Sequence, residues 1–347
     1  GGGAPLPPPP PPPAPPPPWR GRPAAVWWAG TGLAGAVDAL ARKTGIGQAV
    51  VGVVLLGGIT SLPELAVAVT ATVDGKPLLS VNDILGSAAI NVLILAAADA
   101  VYGRKALTSA PADPGLLMQG VLSALLLMMA AGATMSGDAV VLGMGVWSWV
   151  ILGSYALAVS TLAGTKRHPS WRTDPAGPPP EPEADAGVPS ESRSRLVARV
   201  AGFGVVIVAG GFVLAKTSAA IAEQSGLGES FVGAVLLAAC TSLPEVSTVI
   251  ASVRMRRYEM AIGDIFGTNL FNVTILVLVD ALHGGRPVLS EAGAFAGFGG
   301  LLAAAMTLVV TVGMLERRDR TFLRMGWDSL VVVVAYAGGL VVLYGLK

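Results

Sequence analysis

The chain has 347 residues, of which 53% are hydrophobic and 13% are charged, and its formal net charge is +1. A soluble domain carries about 25% charged residues, so the composition excludes an ordinary soluble protein and indicates one that crosses a membrane several times. The single cysteine, Cys240, excludes an intramolecular disulfide framework and a cluster of thiolate metal ligands.

The N-terminal region is unusual because residues 7–18 are almost entirely proline. Such a run favours polyproline II and cannot form a membrane helix. We expect residues 1–23 to be a disordered tail, and the residues leave open whether this tail is genuine or lies upstream of the true start. A signal peptide is disfavoured because Asp38 interrupts the apolar stretch that follows.

Ten apolar stretches follow, each of about 20 residues, the length needed to cross a hydrocarbon core of about 30 Å. We therefore predict an all-α polytopic membrane protein with about ten transmembrane helices. They lie near residues 24–41, 48–73, 79–101, 115–134, 139–162, 196–222, 230–253, 259–282, 291–315 and 322–346. The long connection, residues 164–194, is rich in proline, serine and charge, and it is predicted to be a disordered linker between two five-helix halves, residues 24–163 and 195–347.

The two halves share sequence at a fixed offset of 181 residues. Thr-Ser-Leu-Pro-Glu occurs at Thr60–Glu64 and again at Thr241–Glu245, and residues 45–99 align with residues 226–280 without an insertion. The alignment contains 20 identities in 55 positions, and the matching proline, glutamate, aspartate and asparagine residues are not explained by hydrophobicity. The pattern indicates an internal duplication.

Lysine and arginine are distributed unequally among the predicted loops. One alternate set of loops holds sixteen of them, and the other set, which includes both termini, holds five. By the positive-inside rule the richer set is cytoplasmic, together with the central linker, and both termini lie outside the plasma (inner) membrane. Since each half has an odd number of spans, the two five-helix repeats are inverted. Inverted repeats are typical of secondary transporters, whose substrate site lies at the repeat interface.

Each pentapeptide places a glutamate inside an apolar span, where an unpaired acid is costly and therefore indicates a functional site. The segment Ser61–Glu64 fits a capping box, so the span is predicted to break and restart there. Pro63 and Pro244 also remove a helical N–H, which leaves the carbonyls near Ile59 and Cys240 without their usual donors. Carboxylates, hydroxyls and free carbonyls are ligands for Ca²⁺ and Na⁺. The alternative is a kinked helix whose glutamate only caps it.

A second repeated acid follows at Asp83 and Asp264, each three residues before a glycine. The acid and the glycine lie one turn apart on one helical face, where the small residue lets a neighbouring helix approach and the acid can face a partner instead of lipid. The alternative is an aspartate that reaches the interface from a helix end. Asn91 and Asn272 on the same helices are predicted to hydrogen-bond between helices, with a ligand role as the weaker prediction.

These paired motifs resemble the α-repeats of the Ca²⁺:cation antiporter superfamily and are most similar to its prokaryotic sodium/calcium exchangers. Residues 263–272, Gly-Asp-Ile-Phe-Gly-Thr-Asn-Leu-Phe-Asn, are close to the family's second-repeat pattern. The resemblance covers nearly the whole chain after residue 24, and it implies that one central site is exposed alternately to the two sides. The cation ligands it implies are Glu64, Glu245, Asp83, Asp264, Thr60, Ser61, Thr241 and Ser242.

Several positions depart from the family pattern. Ile59 and Cys240 stand where glycine usually precedes the pentapeptide, and Leu79 and Met260 stand where sodium exchangers of this family often carry a serine ligand. Asp83 takes a place where those exchangers often have asparagine, which adds a fourth carboxylate. The missing hydroxyls weaken the case for bound Na⁺. Four crowded carboxylates cannot all stay ionised once the cation leaves.

The sequence therefore predicts a secondary antiporter that exchanges Ca²⁺ for Na⁺, with a Ca²⁺ or other cation/H⁺ antiporter as the alternative. At least one of Asp83 and Asp264 is expected to be protonated in the empty site. A passive cation channel or a non-transporting scaffold is an alternative of another class, and the two intact glutamate motifs argue against the scaffold. No nucleotide loop or nucleophile constellation suggests an enzyme. The expected partners are the lipid bilayer and inorganic cations, without a cofactor or nucleic acid.

Overall fold

The computed structural model describes residues 22–44, 56–102, 106–109, 113–167, 191–226, 228–318, 321–322 and 324–346. Two predicted segments lie mostly outside the described residues. They are the proline-rich tail, of which only the last two residues are described, and the linker between the halves. The part that is described is almost wholly helical, with two short β-hairpins.

The first half is a series of helices interrupted at the Thr-Ser-Leu-Pro-Glu motif and closed by a hairpin and a peripheral helix. Its elements are α1 (Arg22–Thr44), α2 (Gly57–Thr60), α3 (Leu62–Val73), α4 (Pro77–Tyr102), a 3₁₀ turn (Leu107–Ser109), α5 (Pro114–Ser136), β1 (Val140–Val141), β2 (Met144–Gly145) and α6 (Val146–Arg167). The two strands pair antiparallel.

The second half repeats this order. Its elements are α7 (Arg193–Ser225), α8 (Glu229–Phe231), a π-helical segment (Val232–Leu237), α9 (Ala238–Thr241), α10 (Leu243–Arg254), α11 (Tyr258–His283), α12 (Val288–Glu316), β3 (Thr321–Phe322), β4 (Met325–Gly326) and α13 (Trp327–Leu346). Strands β3 and β4 also pair antiparallel, and each begins 181 residues after its counterpart in the first half. The duplication seen in residues 45–99 therefore extends through the hairpins.

Each of the ten predicted spans contains helix in its described part, although the start of the second span lies outside the described residues. The fifth and tenth spans were predicted to begin too early, because their first residues form the two hairpins and their helices start at Val146 and Trp327. Six described helices are long and apolar enough to cross a membrane on their own, and the segments Glu229–Thr241 and Leu243–Arg254, bent by 41°, form a seventh span. Gly57–Val73 is the shorter first-half equivalent of this bent pair. Helices α1 and α7 have sufficient length but are less apolar. The chain is a polytopic membrane protein built from two inverted five-helix repeats.

Helices α4 and α11 form the centre of the molecule. In their most apolar windows 78% and 72% of the residues are buried, against 17% in α6 and 22% in α13. The central helices contact each other and the broken helices, while α5 and α12 pack together beside them. Helices α1 and α7 contact each other, and α1 also packs on α10 and α7 on α3. The broken helices are thus enclosed between the α1–α7 pair and the central helices.

Two aspartates at the C-terminal ends of the central helices join the repeats to each other. Asp99 on α4 accepts backbone N–H groups from Leu107, at 2.5 Å, and from Gly326 in the hairpin of the other repeat, at 2.6 Å. Asp280 on α11 accepts the equivalent groups of Val288, at 2.8 Å, and Gly145, at 2.7 Å. Such reciprocal contacts are what a two-fold relation between the halves produces.

Candidate cation site

The pentapeptide threonines connect each broken helix to the aspartate of the opposite repeat. Thr60 Oγ1 donates to Asp264 Oδ1 at 3.4 Å, and Thr241 Oγ1 donates to Asp83 Oδ1 at 3.1 Å. All four side chains are fully buried. The two contacts are equivalent under the 181-residue offset, so the structure brings these four predicted ligands together at the interface between the repeats.

The predicted capping box is wrong. Ser61 has backbone angles φ −73° and ψ −3°, a helical conformation in place of the extended one that a capping serine requires. Its hydroxyl donates backwards to the Gly57 carbonyl at 2.7 Å, and its side chain makes no cap bond. At the break, the N–H groups of Ser61 and Ser242 donate to the carbonyls of Gly57, at 3.2 Å, and Ala238, at 3.0 Å. The span does break at Ser61, between α2 and α3, as predicted, but without a capping box, so Glu64 is not used as a cap.

The two motif glutamates have no hydrogen-bond partner in the described part of the chain. Glu64 and Glu245 have no exposed surface, and none of their four carboxylate oxygens has a hydrogen-bond partner among the described residues. Asn272 lies beside Glu64, and Thr60 lies beside Glu245, without reaching hydrogen-bond geometry. Burying an ionised carboxylate without a partner costs several kcal/mol. A bound cation would offset this cost.

The carboxylates form a connected cluster. Glu64 is close enough to both Asp83 and Glu245 for mutual repulsion, and Glu245 is close enough to Asp264. Among the described residues, however, no three histidine, cysteine or acidic side chains converge tightly enough to hold one metal ion. The acids therefore line a shared polar region, with threonine hydroxyls between them, and do not form a closed cage in this conformation.

The remaining predicted ligands occupy the same region but differ in their contacts. Ser242 Oγ is buried and has no hydrogen-bond partner among the described residues, unlike its counterpart Ser61. Asn91 donates to Asn269 Oδ1 at 3.0 Å, which agrees with its predicted role between helices. Both side-chain amide atoms of Asn272 lack partners in the described structure, so this asparagine is the better placed of the two to bind an ion.

The predicted close approach at the aspartate-linked glycines is confirmed. A Cβ atom added to Gly86 would lie 2.2 Å from the carbonyl oxygen of Ala234 in the π-helical segment. On the other side, a Cβ atom added to Gly57 would lie 2.9 Å from the carbonyl carbon of Gly267. These backbone contacts require glycine, and they bring each central helix against the broken helix of the opposite repeat.

Three residues that complete the polar region were missed by the sequence reasoning. Thr248 donates to Asp264 Oδ2 at 2.5 Å, Thr268 lies 3.1 Å from Thr60 Oγ1, and Asn269 donates to the Ala88 carbonyl at 3.0 Å. Identity between the repeats indicated the other ligands, and none of these three residues has an identical partner 181 positions earlier. Helical spacing from Glu245 is the signal that would have indicated Thr248.

The chain belongs to the sodium/calcium exchanger protein family, whose model matches residues 24–164 and 196–345. Putative antiporter CaxA from Alkalimonas amylolytica is 23% identical over 310 residues, covering 87% of this chain and 89% of that protein. Inner membrane protein YrbG from Escherichia coli (strain K12) is 26% identical over 247 residues, covering 71% and 73%. A solved structure of the sodium-calcium exchanger NCX_Mj shares the fold, with a TM-score of 0.65 and 16% identity over 92% of this chain and 95% of that one.

Proposed function

We propose that the protein is a secondary antiporter that carries Ca²⁺ across the membrane in exchange for Na⁺. The observation that supports this most strongly is the pair of unpartnered, fully buried carboxylates of Glu64 and Glu245. An intramembrane acid without a protein partner marks an ion pathway, because a bound cation is what offsets its desolvation. Membership of the sodium/calcium exchanger family supports the choice of ions.

The proposed ligands are hard oxygen donors, as Ca²⁺ and Na⁺ prefer. The two glutamates and Asp83 supply carboxylate oxygens that no hydroxyl or amide satisfies fully in the described structure. Thr60 and Thr241 connect Asp264 and Asp83 to the broken helix of the opposite repeat, so movement of one broken helix would alter ligands from both repeats. The full proposed ligand set is Glu64, Glu245, Asp83, Asp264, Thr60, Ser61, Thr241 and Ser242, with Asn91 and Asn272 as weaker candidates.

Alternating access follows from the inverted repeats. Two halves of opposite orientation can exchange conformations, so that a site between them opens first to one side of the membrane and then to the other. Loop charges support a cytoplasmic location for the linker and an outside location for both termini. With this orientation in the plasma (inner) membrane, the exchanger would move Ca²⁺ in the direction that the combined ion gradients favour.

The experiment is flux of ⁴⁵Ca²⁺ into liposomes that contain the purified protein, with Na⁺ or pH gradients imposed separately. Our proposal expects Ca²⁺ accumulation when Na⁺ is concentrated on the opposite side and none without a counter-ion gradient. Uptake that ignores both gradients would indicate a channel, and no uptake under any gradient would indicate a scaffold.

Exchange of Ca²⁺ for H⁺ is a second candidate, favoured by a specific feature of the site. Leu79 and Met260 lie one turn before the two aspartates and are fully buried, so no hydroxyl is available for Na⁺ at those positions. Asp83 adds a fourth carboxylate, and one of these acids would take up a proton when the cation leaves. A pH gradient that drives Ca²⁺ uptake without Na⁺ would support this candidate over sodium coupling.

A further inference from the structure

The two aspartates of the site are held by different surroundings. Thr248 lies one turn after Glu245 on α10 and is fully buried. Its hydroxyl has two acceptors in reach, the Glu245 carbonyl at 3.2 Å and Asp264 Oδ2 at 2.5 Å. The carboxylate is the nearer acceptor and, when ionised, the stronger one. Thr248 therefore ties Asp264 to the broken helix of its own repeat.

The first repeat lacks this tie. The position equivalent to Thr248 is Val67, which is fully buried and packs in an apolar cluster with Leu79 and Leu237. Asp83 receives a hydrogen bond only on Oδ1, from Thr241, and its Oδ2 has no partner among the described residues. A valine cannot donate, so this oxygen remains available to an ion.

The bonds to the opposite repeat reinforce the difference. Thr241 lies 3.1 Å from Asp83, whereas Thr60 lies 3.4 Å from Asp264 and has a nearer acceptor in the Leu56 carbonyl at 3.0 Å. The main restraint on Asp83 therefore comes from the other repeat, and the main restraint on Asp264 comes from its own. The two half-sites are chemically unequal although their carboxylates are duplicated.

We propose that Thr248 is a positioning residue that fixes Asp264 through Oδ2, leaving the free Oδ2 of Asp83 as the stronger ligand of the transported cation. This inference rests on the proposed function, because it needs a cation at the site. Thr248 sets the affinity by holding the Asp264 carboxylate in one orientation, with Oδ1 next to Thr60 in the shared polar region. Without this bond the carboxylate can turn away from the cation, which raises the KM. Val67 determines affinity by leaving the other carboxylate uncompensated.

The test measures initial rates of ⁴⁵Ca²⁺ uptake by proteoliposomes over a range of Ca²⁺ concentrations, for the wild type and four variants. Thr248→Val should raise the KM for Ca²⁺ about tenfold with little change in kcat, the lower end of what a hydrogen bond to a charged group contributes. Thr248→Ser keeps the hydroxyl and should restore a KM near that of the wild type. Val67→Thr supplies a donor to Asp83 Oδ2 and should also raise the KM, because the hydroxyl competes with the cation.

The matched control is Thr307→Val. Thr307 is fully buried on α12, and its hydroxyl bonds only to the Ala303 carbonyl among the described residues, at 2.8 Å. This variant loses a buried hydroxyl that bonds to a backbone carbonyl and not to a carboxylate, so its KM should stay at the wild-type value. A KM rise in Thr307→Val equal to that in Thr248→Val would overturn the inference, since any buried hydroxyl would then have the same effect.

The outcomes separate the inference from the function. A wild-type protein that shows no Ca²⁺ flux contradicts the proposed function itself. A wild type that transports, with a Thr248→Val variant whose KM is unchanged, overturns only the role of Thr248. If Thr248→Val does not fold, Val67→Thr decides: a raised KM supports the unequal half-sites, and an unchanged KM overturns them.

Discussion

The backbone N–H groups bound by Asp99 and Asp280 are equivalent in the two halves, whereas the side-chain contacts of Asp83 and Asp264 are not. At the ends of the central helices, each aspartate accepts the N–H of its own following segment and that of a hairpin glycine in the other repeat. Near the N-terminal ends of the same helices, Asp264 has a hydroxyl partner from its own repeat and Asp83 has none. The duplication is retained where the halves are joined and lost around the acids.

This difference indicates that the contacts between the repeats and the ion site have different functional requirements. The contacts of Asp99 and Asp280 join the two inverted repeats. They must hold in both conformations of the protein, so equivalent contacts are expected in the two halves. An ion site must bind and release its cargo, and unequal half-sites allow one acid to hold the ion while the other is kept in place. The substitutions below first change residues of the ion site and then Asp99 and Asp280, which join the repeats.

The largest effect is expected from Glu64→Gln and Glu245→Gln. Each removes a buried negative charge that no hydrogen bond satisfies among the described residues, so each should reduce exchange to background while the protein stays folded in the membrane. Flux of ⁴⁵Ca²⁺ and the elution profile in size-exclusion chromatography measure the two properties. Normal transport by either variant would show that its glutamate has no role in the site.

The next effect concerns the coupling ion. Asp83→Asn removes the fourth carboxylate, so under proton coupling it should reduce H⁺ counter-transport and shift the pH dependence of Ca²⁺ uptake. A pH-sensitive dye inside the liposomes measures the counter-transport directly. An unchanged pH profile, with an imposed Na⁺ gradient alone driving Ca²⁺ flux, would reject proton coupling and leave the sodium/calcium exchange.

Asp99→Asn and Asp280→Asn test the contacts that join the two repeats. Asparagine keeps one acceptor oxygen and loses the charge, so each change should lower the free energy of unfolding by about 2 kcal/mol through weakened bonds to buried N–H groups. The two losses should be equal because the contacts are equivalent. Thermal unfolding in detergent measures both variants. Stability losses that differ severalfold would contradict the symmetry of these contacts.

The smallest effect is expected at an exposed ion pair. Lys216 on α7 pairs with Asp74 after α3, and their side chains are 49% and 43% exposed, so Asp74→Asn should cost less than about 1 kcal/mol. Asp38 on α1 is the buried comparison, since its nearly buried side chain pairs with Arg257 at 3.0 Å and with Arg42 at 3.2 Å. Asp38→Asn should destabilise the protein several times more in the same unfolding assay. Equal losses would show that burial does not set the strength of these pairs.

Much of the fold was predictable because the sequence is duplicated and apolar. The offset of 181 residues located both broken helices and both aspartates, and the glycines indicated the close helix contacts that Gly86 makes. The capping box failed because Ser61 has the residue type of a cap but a helical backbone, which depends on how the surrounding helices bend the chain. Thr248 was not predicted because the equivalent residue in the first repeat is Val67. Identity between the repeats cannot indicate a residue that is present in only one of them.

Antiport is tested most directly by measuring whether the efflux of Ca²⁺ requires an ion on the opposite side of the membrane. Proteoliposomes loaded with ⁴⁵Ca²⁺ are diluted into buffer with or without unlabelled Ca²⁺ or Na⁺, and the efflux of label is followed for the wild type and Glu245→Gln. An antiporter with one alternately exposed site must bind an ion to return, so the account predicts fast wild-type efflux only with an ion outside, and none in the variant. Wild-type efflux at the same rate into ion-free buffer would contradict antiport and show a passive channel.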